Sequence, residues 1–361
     1  MTNPRFEPTW ASPPGETIRR WLRSTGESQH TLAGRLNLDL MATAALLAGA
    51  RPIDQTIAAS LAGCVGGSVD FWLQRELDFR EGVERQQANA YAELACADLV
   101  KWGLIPRTAN RRDQVLASLR FLGAETLHDW RQQRMDLVRA ARLKTSETFS
   151  TSQDALAVWL RAGDVLGEQR PCGKYNPDAV NKALPELRKL STLHNPSKMV
   201  ERLSASCTSL GIVLILLPSP KNCRATAAIR MNSKGNPILQ MSLRHKTNDH
   251  FWFAFFHELG HLLLHSPDFA YVDEECEQSD MATEEREANA FAASTLVPPH
   301  SQPTLSSLPI ESKAVIRFAQ KIGVAPGIVV GQLEHLGRVR HGRLNALKRT
   351  VSWQDLSLGT P

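Results

Sequence analysis

Apolar positions in the first part of the chain recur at helical spacing, in short runs separated by residues that favour turns. Over residues 16–83 this pattern predicts five short helices. Residues that favour helix N-caps precede four of them, at Ser28, Asp39, Asp54 and Ser68. The helical pattern continues to about His194, so the chain up to that point is predicted to be all-α.

The pattern changes after Cys207, where short apolar runs with β-branched residues predict strands. Residues 211–217 form one predicted strand, and residues 225–231 and 238–244 form a predicted hairpin around a turn-rich loop. A long apolar helix is predicted to begin near residue 248, followed by an acidic loop and further helices. This second part is therefore predicted to be α+β, with a small sheet beside the apolar helix.

Composition places the chain among ordinary globular proteins with more than one domain. The 361 residues are 42% hydrophobic and 22% charged, which argues against the disordered and fibrous classes. The formal net charge of +5 permits contact with nucleic acid but does not require it. Six scattered cysteines without a CxxC pair are predicted to be reduced thiols. No apolar run reaches the ~20 residues of a membrane span and the start lacks a signal segment, so we expect a cytoplasmic protein without membrane contact.

The apolar helix carries the motif His257-Glu258-Leu259-Gly260-His261. Its two histidines stand at i and i+4 on one helix face, so both imidazoles can bind a single zinc ion. Glu258 lies beside the first histidine, where its carboxylate can take a proton from an attacking water molecule. An apolar helix does not carry three such groups without partners, because burying them unpaired costs free energy. The motif therefore predicts one Zn²⁺ per chain, with His257 and His261 as ligands and Glu258 as general base.

A third zinc ligand must come from elsewhere in the chain, because catalytic zinc usually has three protein ligands. A histidine six residues after His261 would define one class of peptidase, but that position is Pro267. The other option is a carboxylate on the helix that follows the acidic loop, and we predict Glu287 in preference to Glu285. Glu284, one turn before Glu287, is the substitute candidate.

Three further features are candidates for a part in the chemistry. His265 continues the i+4 series and can orient a metal ligand or contact substrate, although a structural histidine is the competing explanation. His265 and Tyr271 are also the nearest candidates for stabilising an oxyanion. The predicted strand of residues 238–244 can present a free edge on which an extended peptide pairs, or can belong to a simple core hairpin.

Residues 29–52 have the spacing of a helix-turn-helix, with its turn at Asn37. The second helix is mostly Leu, Met and Ala, so few of its side chains can reach base edges. The candidates for contact with DNA or with a partner protein are Asp39, Thr43 and Arg51. Two uses of this module stay open: DNA binding, and dimerisation or partner binding through the apolar helix.

Two segments resemble known families. The first resembles the ImmA/IrrE family of bacterial and phage metallopeptidases, and it consists of FWFAFFHELGHLLLH followed by EREANAFAASTLVP. Residues 50–81 resemble the XRE-type helix-turn-helix of HigA-like antitoxins. The first resemblance implies metal binding by His257, His261 and Glu287 and a catalytic role for Glu258. It also implies cleavage of a repressor-like DNA-binding protein, which relieves repression.

Together these observations predict a mainly α protein with an all-α helix-turn-helix domain and an α+β zincin-like peptidase domain, in which a small sheet accompanies the HExxH helix. The predicted divisions are 1–88 for the helix-turn-helix domain, 89–200 for a helical middle region, 201–300 for the peptidase domain and 301–361 for a helical region with a basic tail. The expected partners are a protein substrate, DNA through the amino-terminal module, and a second copy of the chain. The leading hypothesis is a zinc endopeptidase that cleaves a repressor or antitoxin-like protein. The alternative is a DNA-binding regulator or antitoxin whose zinc domain is structural or sensory.

Overall fold

The computed structural model describes residues 11–143, 152–244, 246–265, 270–274 and 283–353, with the backbone alone for 140–143 and 270–274. The chain divides into two compact units. The first consists of residues 1–92 with 110–115, and the second of residues 93–109 with 116–361. The four-part division predicted from the sequence is finer than these two units and stays a prediction.

The first unit is helical throughout its described residues. Its helices are α1 (Pro14–Thr25), α2 (Gln29–Leu36), α3 (Leu40–Leu47), α4 (Gln55–Cys64) and α5 (Val69–Glu93). The helices predicted over residues 16–83 are confirmed, and so are the predicted caps. Each cap side chain accepts a hydrogen bond, of 2.6–3.1 Å, from the backbone N–H three residues further on. The apolar faces meet in a core that includes Ile18, Leu61 and Trp72.

The second unit is larger and combines helices with a sheet. Its first described helices are α6 (Cys96–Lys101), α7 (Arg111–Leu122, whose first residues belong to the first unit), α8 (Leu127–Ala140), α9 (Gln153–Glu168), α10 (Pro177–Lys189) and α11 (Pro196–Ser209). After the strands come α12 (Asn248–Leu264), α13 (Thr283–Leu296), α14 (Gln302–Ser306), α15 (Ser312–Ile322) and α16 (Pro326–His335). Short 3₁₀ turns cover Leu190–Thr192, Pro299–Ser301 and Asn345–Leu347.

The strands of the second unit form one mixed sheet. They are β1 (Ala141–Leu143), β2 (Val213–Leu216), β3 (Ala225–Met231), β4 (Pro237–Met241) and β5 (Ala270–Glu274), in the spatial order β1-β5-β3-β4-β2. β3 pairs antiparallel with β4 and with β5, whereas the outer pairs β1–β5 and β2–β4 are parallel. The predicted strand and the predicted hairpin are thus confirmed as β2 and β3–β4.

The structure decides one open alternative about the sheet and differs from two expectations. β4 lies between β3 and β2, so it is a core strand rather than a free edge on which a peptide could pair. β5 was not predicted, and it lies where the acidic loop was expected to begin. The sequence pattern did not reveal this strand because acidic residues have low β-propensity. β1 interrupts a stretch that was predicted to be helical.

The two faces of the sheet pack against different helices. Ala227 and Ile229 of β3 lie in the main core with Trp252 and Phe255 of α12. The alternate residue Arg230 points to α9 on the other face, because successive side chains of a strand point in opposite directions. The Arg230 guanidinium donates hydrogen bonds to Asp164 Oδ1 at 2.7 Å and to Leu160 O at 2.6 Å, and both acceptors lie on α9. The sheet therefore separates α9 from the long apolar helix.

Within the described ranges, no single helix is long and apolar enough to cross a membrane. Among the residues that the structure describes, α15 and α16 have that length and composition when taken together, with a 108° bend between them. Both helices contribute side chains to the main core, including Phe318 and Ile328.

A buried cluster of hydrogen bonds joins α9 to the sheet beside Gly163. We expect the stability of the protein to be sensitive to substitution of this glycine. The Gln240 side chain donates to Trp159 O at 2.8 Å and accepts from Arg230 at 2.9 Å, so it cannot swing aside freely. A Cβ on Gly163 would overlap Gln240 Oε1. We therefore expect Gly163→Ala to lower the free energy of unfolding by about 1–3 kcal/mol.

Urea unfolding followed by tryptophan fluorescence measures this effect. Gly34→Ala is the matched control, because a Cβ at Gly34 in α2 would meet no atom within 4 Å. The control should leave stability unchanged or raise it slightly, since alanine favours helix. Equal stability of the two variants would contradict the packing described for α9.

Candidate metal centre

The motif helix α12 is buried along most of its length, including its polar residues. His257 and His261 are each 1% exposed, and Glu258 is 0% exposed. Trp252, Phe255 and Phe256 form T-shaped and stacked ring pairs that fix the helix in the core. Because polar groups at this depth need partners, the imidazoles must be satisfied by groups on other elements or by a ligand.

The two imidazoles and one carboxylate converge at this place. His257 Nε2 and His261 Nε2 are 3.1 Å apart. Glu285, on α13, brings Oε2 to 3.5 Å from His257 Nε2 and Oε1 to 3.2 Å from His261 Nε2. Among the described residues this is a group whose ligand atoms all lie within 4.8 Å of one another.

These distances fit a divalent cation with nitrogen and oxygen ligands. Tetrahedral zinc with bonds of ~2.0–2.1 Å separates its ligand atoms by about 3.3 Å. The observed separations of 3.1, 3.2 and 3.5 Å are close to that value, with the last two measured to different oxygens of the Glu285 carboxylate. Two histidines and one glutamate leave a fourth position for a reactant, which is the donor set of a catalytic rather than a closed structural site.

The ionisation states also fit metal binding. Burial raises the pKa of Glu285, but hydrogen bonds and charges from His257 and His261 outweigh it and hold the pKa well below its usual range. Burial is the main cause of the lowered pKa of His261. At neutral pH the carboxylate is therefore ionised and the His261 imidazole neutral, as a metal site requires.

The sequence-based choice of Glu287 as third ligand is corrected to Glu285. Residues two apart on a helix point in nearly opposite directions, so the two glutamates cannot share a face. Glu285 lies on the stripe of α13 that continues through the buried residues Ala288 and Ala292. Glu287 is 54% exposed, and the substitute candidate Glu284 is outside the converging group as well.

Glu287 belongs instead to a chain of contacts behind the converging residues. Its Oε2 lies 2.9 Å from His265 Nε2. His265 Nδ1 in turn lies 3.0 Å from His261 Nδ1. This carboxylate–histidine chain orients the His261 ring so that its Nε2 faces Glu285, a common arrangement behind metal-bound histidines.

Asn289 has the corresponding place behind His257. Its Oδ1 accepts a hydrogen bond from His257 Nδ1 at 3.0 Å, which leaves the Nε2 lone pair directed toward Glu285. The sequence prediction missed this residue. Its spacing of four from Glu285 puts it on the same helix face, and that spacing was the available signal.

Gly260 allows α13 to approach α12 closely enough for these contacts. A Cβ at this position would lie 3.1 Å from Ala288 Cα and 3.2 Å from the Phe291 ring. These distances are tighter than ordinary van der Waals contact, and the first is to backbone, which cannot move aside easily. The glycine in the motif is therefore explained by helix packing.

The remaining candidates fall outside this centre. Tyr271 belongs to β5, and its side chain lies outside the described residues. Thr43 is 0% exposed and its hydroxyl donates to Asp39 O, so it is not available to contact DNA or a partner. Asp39 is the N-cap of α3, with Oδ1 accepting from Ala42 N at 2.6 Å. Arg51 is half-buried.

The geometry is that of a candidate metal centre, with the donor set found in metallopeptidases. Comparison with known families agrees, since residues 207–330 match the model described as Peptidase_M78, the IrrE N-terminal-like domain. The matched segment includes the three converging residues and Glu258, and it supports a hydrolase of the ImmA/IrrE kind. No curated protein and no solved structure matches the chain. The match does not reach the first unit, so its helix-turn-helix class stays a prediction.

The assignment of the third ligand predicts a contrast between Glu285 and Glu287, which lie two residues apart on α13. We expect Glu285→Gln to weaken zinc binding by at least about 100-fold, because the anionic ligand is lost. The matched control Glu287→Gln should weaken it by about tenfold at most, through the hydrogen bond to His265. Competition with a chromophoric chelator measures both affinities. The reverse order of the two variants would contradict the assignment.

The position of Asn289 predicts a smaller effect. Asn289→Ala should weaken zinc binding about 10- to 100-fold, because His257 loses the acceptor that fixes its tautomer. Ser294→Ala on the same helix is the control, since its hydroxyl bonds only Phe291 O among the described contacts. Titration with zinc in the same chelator assay tests this, and an unchanged affinity in Asn289→Ala would refute the orienting role.

Proposed function

We propose that the protein is a zinc-dependent endopeptidase. The observation that supports this most strongly is the convergence of His257, His261 and Glu285 next to the buried Glu258. When bound, zinc would supply a Lewis acid that polarises the scissile carbonyl. The residues that would hold it are the two histidines and Glu285, with one coordination position left for the reaction.

Glu258 is the proposed general base. It follows His257 directly in the chain, and its side chain is fully buried on the helix that carries both histidines. A carboxylate so placed can accept a proton from the attacking water and deliver it to the leaving amine. The water-poor surroundings strengthen the electrostatic interactions of this carboxylate with a developing charge.

The proposed substrate is a repressor or antitoxin-like DNA-binding protein, whose cleavage relieves repression. This rests on the similarity of residues 207–330 to the IrrE N-terminal-like domain and on the helical first unit. In that unit α3 exposes Leu40 by 48% and Met41 by 82%. An apolar surface of this kind favours a protein partner over base readout, so we propose that the first unit recruits the substrate.

The proposal predicts that Glu258→Gln separates metal binding from catalysis. The variant should retain one zinc per chain, because Glu258 is not a ligand, and its cleavage rate should fall about 100- to 10,000-fold. Purified protein is incubated with the repressor-like products of neighbouring genes, and the fragments are identified by mass spectrometry. Glu201→Gln, an exposed change on α11, is the control and should leave the rate unchanged.

A different result would favour the alternative function. If the unmodified protein holds zinc but cleaves none of these proteins, and Glu258→Gln leaves every cellular phenotype unchanged, the endopeptidase proposal fails. The protein would then be a regulator or antitoxin with a structural or sensory zinc domain.

A further inference from the structure

Positive charge is concentrated near the carboxyl end of the described chain. Residues 312–353 contain eight Lys and Arg residues and one Glu, a net charge of +7, whereas the whole chain has a net charge of +5. The rest of the chain therefore has a net charge of −2. Such an asymmetry within one chain indicates contact between the basic part and a polyanion.

Two of these eight residues are used inside the second unit. Lys348 Nζ contacts the carboxylates of Asp249 and Glu334, each at 2.7 Å, and the Arg349 guanidinium donates to two backbone carbonyls. The other six are exposed, and none of them forms an ion pair within the described part of the chain. They are Lys313, Arg317, Lys321, Arg338, Arg340 and Arg343.

A second cluster of arginines, on α8, is already neutralised. Arg131 donates to both oxygens of the Glu93 carboxylate, and Arg134 contacts Glu93 and Asp154. The field of a paired charge is largely cancelled by its partner. The arginines after α16 have no acidic partner among the described residues, so their field extends into solvent and attracts anions.

The segment after α16 holds three of the six exposed charges in an ordered loop. This basic loop, residues 336–344, contains Arg338, Arg340 and Arg343 and no acidic residue. Val339 is 4% exposed in the main core, and Leu344 packs against the same core. The Arg343 N–H donates to Arg340 O at 3.1 Å, which closes a turn between these two arginines. The apolar residues thus anchor the loop and the arginines project outward.

The residue types favour phosphate as the bound group. All three cationic side chains of the loop are arginines, whose planar guanidinium donates two parallel hydrogen bonds to one phosphate. The loop contains no helix or strand that could enter a groove of a nucleic acid. Its contacts would therefore be to backbone phosphates, which carry no sequence information.

We propose that the basic loop binds the phosphate backbone of double-stranded DNA without reading its sequence. The binding itself is independent of the proposed function. Only its purpose rests on that function, since DNA binding would bring the peptidase to a repressor on its operator. The loop follows the segment of residues 207–330 that matches the IrrE N-terminal-like domain, so it is not part of that resemblance.

The test measures how DNA binding depends on salt. The zinc-loaded full chain is titrated into a fluorescein-labelled duplex of about 20 base pairs with an arbitrary sequence, and anisotropy is recorded at several salt concentrations. Three phosphate contacts predict a slope of at least about −2.7 in a plot of log K against log salt concentration. The double variant Arg340→Gln/Arg343→Gln should reduce this slope by about 1.8 and weaken binding at least about tenfold at ~0.1 M salt. Arg338 is left unchanged because its guanidinium also donates to Ser306 O.

Two matched variants serve as controls. Arg340→Lys/Arg343→Lys keeps both charges, so it should keep most of the slope. Arg20→Gln/Arg23→Gln removes two exposed arginines from α1 in the first unit and should leave the slope unchanged.

The proposal is overturned if the duplex does not bind at ~50 mM salt, where phosphate contacts are strong. An unchanged slope in Arg340→Gln/Arg343→Gln would overturn it, and so would an equal loss in Arg20→Gln/Arg23→Gln. Tighter binding of polyglutamate than of the duplex would also overturn it, because the loop would then be a surface for an acidic protein. No bond is cut in these measurements. If DNA binds as expected while no protein is cleaved, only the proposed function fails.

Discussion

The close contact of α12 with α13 at Gly260 is the constraint on which the rest of the second unit depends. The candidate metal ligands come from both helices, so the separation of the helices fixes the distance from Glu285 to the two imidazoles. The glycine lets Ala288 approach the helix backbone directly. Along the same interface Asn289 meets His257. One interhelical distance therefore sets the geometry of the proposed chemistry.

Burial strengthens the electrostatic interactions within this group of residues, and it also makes any unpaired member destabilising. Imidazole and carboxylate groups in an apolar core are stable only when each has a partner, since an unpaired one carries its full desolvation cost. Here each group has partners on two sides. The two imidazoles and the Glu285 carboxylate face one another, and Asn289, His265 and Glu287 contact the imidazoles from behind, directly or through one another. These contacts from behind hold the rings in one orientation, which prepares the site for a cation before it arrives.

Sequence patterns predicted the parts of this structure that depend on local spacing. The caps at Ser28 and Asp54 follow from hydrogen bonding within one helical turn. The hairpin of β3 and β4 follows from short apolar runs on either side of a loop rich in turn residues. The close approach of the His257 and His261 imidazoles follows from their i, i+4 relation on α12. The burial of this helix follows from its apolar flanks.

The errors arose where the answer depends on two elements at once. Choosing between Glu285 and Glu287 requires knowing which face of α13 meets α12, and the sequence offered three glutamates at the start of that helix. The stripe of buried residues through Ala288 and Ala292 identifies the face of α13 that meets α12. Reading that face from the sequence requires centring it on Ala292 and not on Phe291. The order of strands in the sheet, which puts β4 inside, is set by long-range pairing that no local pattern encodes.

The most direct test of the central claim is a crystal structure of the zinc-loaded protein with an anomalous difference map recorded at the zinc edge. The account predicts one peak per chain, about 2.0–2.2 Å from His257 Nε2, His261 Nε2 and a carboxylate oxygen of Glu285. A peak bound to Glu287 in place of Glu285, or no peak between the two imidazoles, would contradict it.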